Sequence, residues 1–215
     1  MNESVDSPPK LKPTKPWLEL ASAILLGAAS LATAWCSYQN SGWSGQSRGL
    51  AARADKLERQ ALAWHIDGQQ IETVQTRIFM RAIEAQLEGN EKVAVFYIDR
   101  FSAELKPAYE KWLALKPFDN PACPPHPFIP SLYTPRFTPE INDARADAVT
   151  SAAKSSAASE NASGYLGNTV ILATVLFFAG TAGKFHQRRV RYGSLAFAMS
   201  MFTYAAVKIL TLPVI

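Results

Sequence analysis

Three stretches of this 215-residue chain, 20–47, 161–183 and 192–207, contain no Asp, Glu, Lys or Arg. They are rich in Leu, Ala, Val and Phe. A helix needs about 20 apolar residues to cross the hydrocarbon core of a bilayer, so these runs read as membrane spans. An ordinary soluble single-domain enzyme is thereby excluded. The mean hydropathy of −0.04 conceals the spans because a long polar segment separates the first from the second.

The formal charge of +4 is just as unevenly distributed. Residues 40–165 carry fourteen Lys/Arg against fifteen Asp/Glu, leaving that segment at −1. The tail 1–16 sets Lys10, Lys12 and Lys15 against Glu3 and Asp6, and 184–192 holds Lys184, Arg188, Arg189 and Arg191 with no acid. Basic residues in short flanks of membrane spans are retained on the cytoplasmic side. The excess charge therefore reads as a record of orientation. Nucleic-acid binding would require basic residues interleaved with aromatics along a face of the large segment, which is close to neutral.

The predicted organisation follows. A cytoplasmic tail without regular structure (1–16) leads into transmembrane helix 1 (17–38). An extracytoplasmic domain (39–165) precedes transmembrane helix 2 (166–183). A basic cytoplasmic turn (184–193) and transmembrane helix 3 (194–215) complete a hairpin. Trp17 and Trp35 lie about 27 Å apart along a helix, near the thickness of the hydrocarbon core. With Tyr38 and Trp43 they form the expected interfacial anchors. Ala32-Thr33-Ala34 has the form of a signal-peptide cleavage site, but Glu19 and the bulky Trp35 and Tyr38 argue for a retained span. Ala23 with Gly27, and Ala179 with Gly183, are small pairs at four-residue spacing that would let spans approach closely.

Within 39–165, Leu50, Leu57, Trp64, Ile71 and Ile78 recur every seven residues. Ala54, Ala61, Gly68 and Ala82 follow members of that series by four. Such a stripe predicts a long helix packed along another, with a kink expected at Gly68. From Ser41 to Leu87 it would extend about 70 Å. Gly89-Asn90 stops it, a helix restarts over 91–106, and Pro107 opens a short one through Leu115. Seven prolines within 117–135 exclude regular structure from the loop 117–137. Thr138-Pro139-Glu140 has the composition of a helix start, with the threonine hydroxyl as cap. The Ala/Ser-rich stretch beyond it is predicted to run as helix into the second span rather than as a low-complexity linker. The fold class expected is all-α: three transmembrane helices, a long helical-hairpin stalk and a small helical tip outside the membrane.

Several local patterns resemble those of a group of bacterial three-span inner-membrane proteins. They are Trp35-x-x-Tyr38-Gln39 with Trp43-Ser44, Arg100-Phe101, Leu105-Lys106-Pro107-Ala108-Tyr109-Glu110-x-Trp112-Leu113, and Asn120-Pro121 with Pro124-Pro125-x-Pro127-Phe128. Leu176-Phe177-Phe178-Ala179-Gly180 and Leu212-Pro213 extend the likeness over most of the chain after residue 17. The resemblance implies a bacterial inner-membrane setting. It implies no activity, since none is established for that group.

Candidate chemistry is sparse. Cys123-Pro-Pro-His126 offers two metal ligands where zinc needs four, or three and water. No cofactor or metal is expected. Cys36 and Cys123 are expected as free thiols, because the first lies at the membrane and the second far along the stalk. No nucleophile elbow, phosphate-binding glycine loop, HExxH or paired-acid motif occurs, so no catalytic residue is assigned. The chain reads as a non-enzymatic interaction or assembly module of the bacterial cell envelope. Its partners would be the lipid bilayer and a protein, or a second copy, along the stalk; no small-molecule substrate is identified. The alternative is a small transporter or channel subunit using Glu19 and Lys208, charges within apolar spans being functional by default.

Overall fold

The computed structural model describes residues 16–184 and 187–215. Lys10, Lys12 and Lys15 lie outside the described residues. Five helices follow one another: α1 (Pro16–Leu87), α2 (Glu91–Ile98), α3 (Leu105–Ala114), α4 (Thr138–Ala182) and α5 (Arg188–Thr211). No strand occurs among the described residues, and the all-α class is as expected. The chain divides into two compact units. One comprises the chain up to Leu50 with Lys154–Ile215, the other Ala51–Ala153.

The first unit contains the apolar parts of α1 and α4 together with α5. All three helices are long and apolar enough to cross a membrane. Only 17%, 33% and 11% of their most apolar windows is buried within the protein. Apolar surface left uncovered on that scale is rare in soluble monomers and suits contact with lipid. The inward faces form a core of Leu25, Ala29, Cys36, Tyr165, Leu172, Val175, Ala179, Ala198 and Ala205. Of the small pairs singled out above, only Ala179 belongs to it. Ala23, Gly27 and Gly183 point outward. Spacing of small residues does not by itself say which side of a span meets protein.

α4 shows why an Ala/Ser-rich sequence becomes helix here. Ile141, Ala144, Ala148, Ser151, Ala158, Ala162, Tyr165, Asn168, Leu172, Val175, Ala179 and Ala182 are buried, with Ser155 half-buried. These steps of three and four residues define one continuous inner line. At Ser47 and Ser155 each hydroxyl donates to the other residue's backbone carbonyl, at 3.0 and 2.9 Å. Reciprocal bonds from such short side chains require the two backbones to lie close together. Leu212 and Ile215 contact the Cα positions of Gly164 and Gly42, where a Cβ would come within 3.0 and 2.9 Å of their side chains. Pro213 ends α5 beyond Thr211, and its carbonyl accepts hydrogen bonds from Trp43 Nε1 and Tyr165 Oη, both at 3.1 Å. The helix that carries the third apolar run, α5, thus covers Arg188–Thr211, where the span was expected over 194–215. Arg188, Arg189 and Arg191 lie in the opening turns of α5 rather than in a connecting turn.

In the second unit the helix line is Ala54, Ala61, Gly68, Gln75 and Ala82, all buried. Leu50, in the first unit, and Leu57, Trp64, Ile71 and Ile78 in the second are only half-buried. The stripe is thus real, but the small series makes the closest approach and the large residues flank it. Ala61 packs with Ile141 and Ala144 of α4. α1 runs unbroken through Gly68. That glycine admits the Arg136 carbonyl, which would lie 3.1 Å from a Cβ.

Gly89, at φ +76°, terminates α1. Its N–H reaches the Gln86 carbonyl and that of Asn90 reaches Ala85, the paired bonds of a glycine-terminated helix. Asn90 then caps α2 through Val93 N–H. The helix expected over 91–106 ends at Ile98, and the next begins at Leu105 rather than at Pro107, because Ser102 N–H bonds the buried Gln75 Oε1 at 2.8 Å and turns the chain between them. Ser102 Oγ accepts from Leu105 N–H to start α3. Thr138 also differs from expectation: its hydroxyl donates back to the Pro135 carbonyl at 2.6 Å. Phe137, at φ +68°, supplies the carbonyl that accepts Ile141 N–H.

Ala61 is 1% exposed, so Ala61→Leu is expected to force α1 and α4 apart and cost about 1–3 kcal/mol. Chemical unfolding of the reconstituted protein would read this; stability equal to wild type would show that the contact tolerates separation.

Candidate functional site

The second unit is built around rings. Phe79, Phe101, Leu105, Ala108, Tyr109, Trp112 and Tyr133 are buried together, with Phe128 packed against them. Phe79 meets Tyr109, Trp112 and Phe128 edge-on at 6.2, 5.5 and 5.7 Å between centroids. Edge-to-face pairs of this kind add about 0.5–1.5 kcal/mol beyond area burial. The polar tips of the rings are satisfied locally. Tyr109 Oη pairs with the Gln86 amide at 3.0 Å, and Trp112 Nε1 donates to the Pro124 carbonyl at 2.7 Å.

That last bond holds the proline-rich loop over one edge of the cluster. Between the loop and α1 lies a cleft of about 830 Å³. One wall comes from α1 (Thr76, Arg77, Met80, Arg81, Glu84, Leu87), the other from Pro117, Phe118, Asn120, Pro121 and Pro125. Phe79, Ile83, Trp112 and Cys123 lie between the walls. Arg81 is paired with Glu84 at 2.9 Å. Arg77 has no hydrogen-bond or ion-pair partner among the described residues. The cleft thus combines apolar and aromatic surface with one unneutralised guanidinium.

Within the cluster, Tyr133 is 4% exposed. Burial, reinforced by the nearby carboxylates of Glu72 and Glu104, pushes its phenol up from 10.0 to about 12. Burial likewise raises Tyr109.

The residues singled out from the sequence are distributed as follows. Trp17, Trp35 and Tyr38 are exposed on α1, as lipid-contacting anchors would be, and Trp17 lies 6.3 Å from Tyr192. Trp43 is half-buried through its bond to Pro213. Lys184 is exposed, as are Arg188 and Arg189, while Arg191 is half-buried with a guanidinium nitrogen 3.9 Å from the Glu19 carboxylate. Lys208 Nζ lies 6.0 Å from the Tyr204 ring centre. Cys36 and Cys123 are free thiols. No cluster of three metal-ligating side chains occurs among the described residues.

Arg77, Met80 and Leu87 were not legible as site residues. A signal existed for two of them: Met80 and Leu87 are apolar yet fall outside the seven-residue series, where a stalk helix would ordinarily be polar. In comparisons with known proteins, no family model matches the chain, and neither the curated proteins nor the solved structures contain a significant match.

Because Tyr133 holds its proton more tightly folded than unfolded, its contribution to stability is complete below pH 10. It is lost as pH rises toward about 12. Tyr133→Phe is expected to flatten the alkaline decline in unfolding free energy between those values. An unchanged profile would place the titration elsewhere.

Proposed function

We propose that the chain is a multi-pass protein of the bacterial inner membrane whose second unit is a non-enzymatic interaction module outside the cytoplasm. The single observation carrying this reading is an uncovered apolar face on α1. Leu62, Ile66, Met80 and Leu87 are 55%, 45%, 62% and 72% exposed. At 100° per residue they fall within an arc of about 60°, centred about 120° round the helix from the buried Ala61 line. A helix stabilised only by its contacts within the unit would gain nothing from four large apolar residues there. Such a face is what a protein partner covers.

Orientation rests on charge. Lys184, Arg188, Arg189 and Arg191 gather where α4 ends and α5 begins, and the positive-inside rule assigns that end to the cytoplasm. With three spans, the Ala51–Ala153 unit then lies outside. The pairing of Glu19 with Arg191 gives that acid a structural role, so transport through Glu19 and Lys208 is not the reading favoured.

A photo-reactive amino acid placed at Ile66 or Met80 in native membranes is expected to form protein adducts, while the same probe at exposed Gln60 does not. Equal labelling at all three, or a monomer without adducts, would defeat the proposal. Topology is tested with an impermeant maleimide. Glu88→Cys is expected to react in intact cells, and Gln187→Cys only after permeabilisation; reaction at Gln187→Cys from outside would reverse the orientation.

A further inference from the structure

The uncovered α1 face accounts for Met80 and Leu87 but not for the cleft behind them or for the isolated charge at its wall. We propose that the cleft between α1 and the 117–125 loop is a binding site for a single-chain amphiphile with one negative charge. Its chain would lie against Phe79, Met80, Trp112 and Phe118, and its head on Arg77.

Three features argue for this occupant. The volume of about 830 Å³ falls in the range of small-ligand sites. The surfaces offered are aromatic rings, proline rings and the adaptable thioether of Met80, which accept a flexible chain without demanding directional bonds. The charge arithmetic is equally specific. Arg81 is already neutralised by Glu84, which leaves one guanidinium, Arg77, without a partner among the described residues. One free cation at the wall of a cleft lined by both apolar and polar groups complements one anionic oxygen group. A dianionic phosphomonoester or a nucleotide would leave charge uncompensated. A carboxylate and a phosphodiester both satisfy the requirement, through charge-assisted hydrogen bonds to the planar guanidinium.

The inference rests on the cleft and on Arg77 rather than on the interaction reading, although Met80 and Leu87 border both surfaces. Cys123 provides the test because its thiol lines the cleft while Cys36 is buried in the other unit. The full-length protein in nanodiscs would be treated with N-ethylmaleimide, and alkylation of the Cys123 peptide followed by mass spectrometry. Dodecanoate or a lysophosphatidylglycerol is expected to slow Cys123 alkylation saturably, and whichever protects at lower concentration identifies the head group. Dodecanol, with the same chain and no charge, is expected to protect at least tenfold more weakly. Loss of a hydrogen bond to a charged group corresponds to about ten- to hundredfold in affinity, so Arg77→Gln should raise the protecting concentration by that factor. Arg53→Gln, on another face of α1, should leave it unchanged. Arg77 is exposed, and the variant is expected to fold as wild type. Equal protection by dodecanol, or protection unaltered in Arg77→Gln, would overturn the proposal. Absence of protection by any amphiphile, with adducts from Met80 to a protein, would assign the cleft to a protein segment instead.

Discussion

Close approach of α1 and α4 along lines of small residues is the constraint on which both units depend. Interaxial distance is set by the side chains at the contact. Where those are Ala, Ser and Gly, backbones come near enough for hydroxyl-to-carbonyl bonds such as the Ser47–Ser155 pair. In the second unit the same line admits the Arg136 carbonyl against Gly68. Larger residues on this line would separate the helices and remove those polar contacts together with the packing.

Gln75 is the exception on the α1 line, and the tip is organised around it. A buried amide needs partners, and this one accepts the Ser102 N–H. That bond fixes where α2 gives way to α3 and so how Phe101, Tyr109 and Trp112 converge on Phe79. Trp112 in turn holds Pro124, and through it the loop that forms the outer wall of the cleft. A chain of satisfied polar groups leads from the helix interior to the candidate site.

Much of this architecture is legible in the sequence. The three apolar helices, the Gly89 stop, the irregular proline-rich loop and the helical Ala/Ser stretch each rest on hydropathy or on local backbone chemistry. The errors share one cause. The continuous 91–106 helix overlooked a side chain 27 residues earlier in the chain that captures Ser102. The cap expected at Thr138 falls one residue late, because α4 already includes Thr138 as its first residue and its hydroxyl bonds back to Pro135. Ala23 and Gly27 have the right spacing for a helix contact but lie on the wrong side of α1.

By itself, the sequence determined that three helices are long and apolar enough to cross a membrane, that most of the rest is helical, and where helices must stop. Those properties depend on runs of residues and on the backbone conformations that Gly and Pro allow. Tertiary structure alone decided that Ala54, Ala61 and Gly68 rather than Leu57 and Trp64 make the closest contact. It also decided that Met80 and Leu87 stay uncovered and that Arg77 ends without an acid beside a ring-lined cleft. A seven-residue repeat offers two neighbouring faces with equal periodicity, and only the partner helix, by approaching as closely as side-chain volume permits, chooses between them.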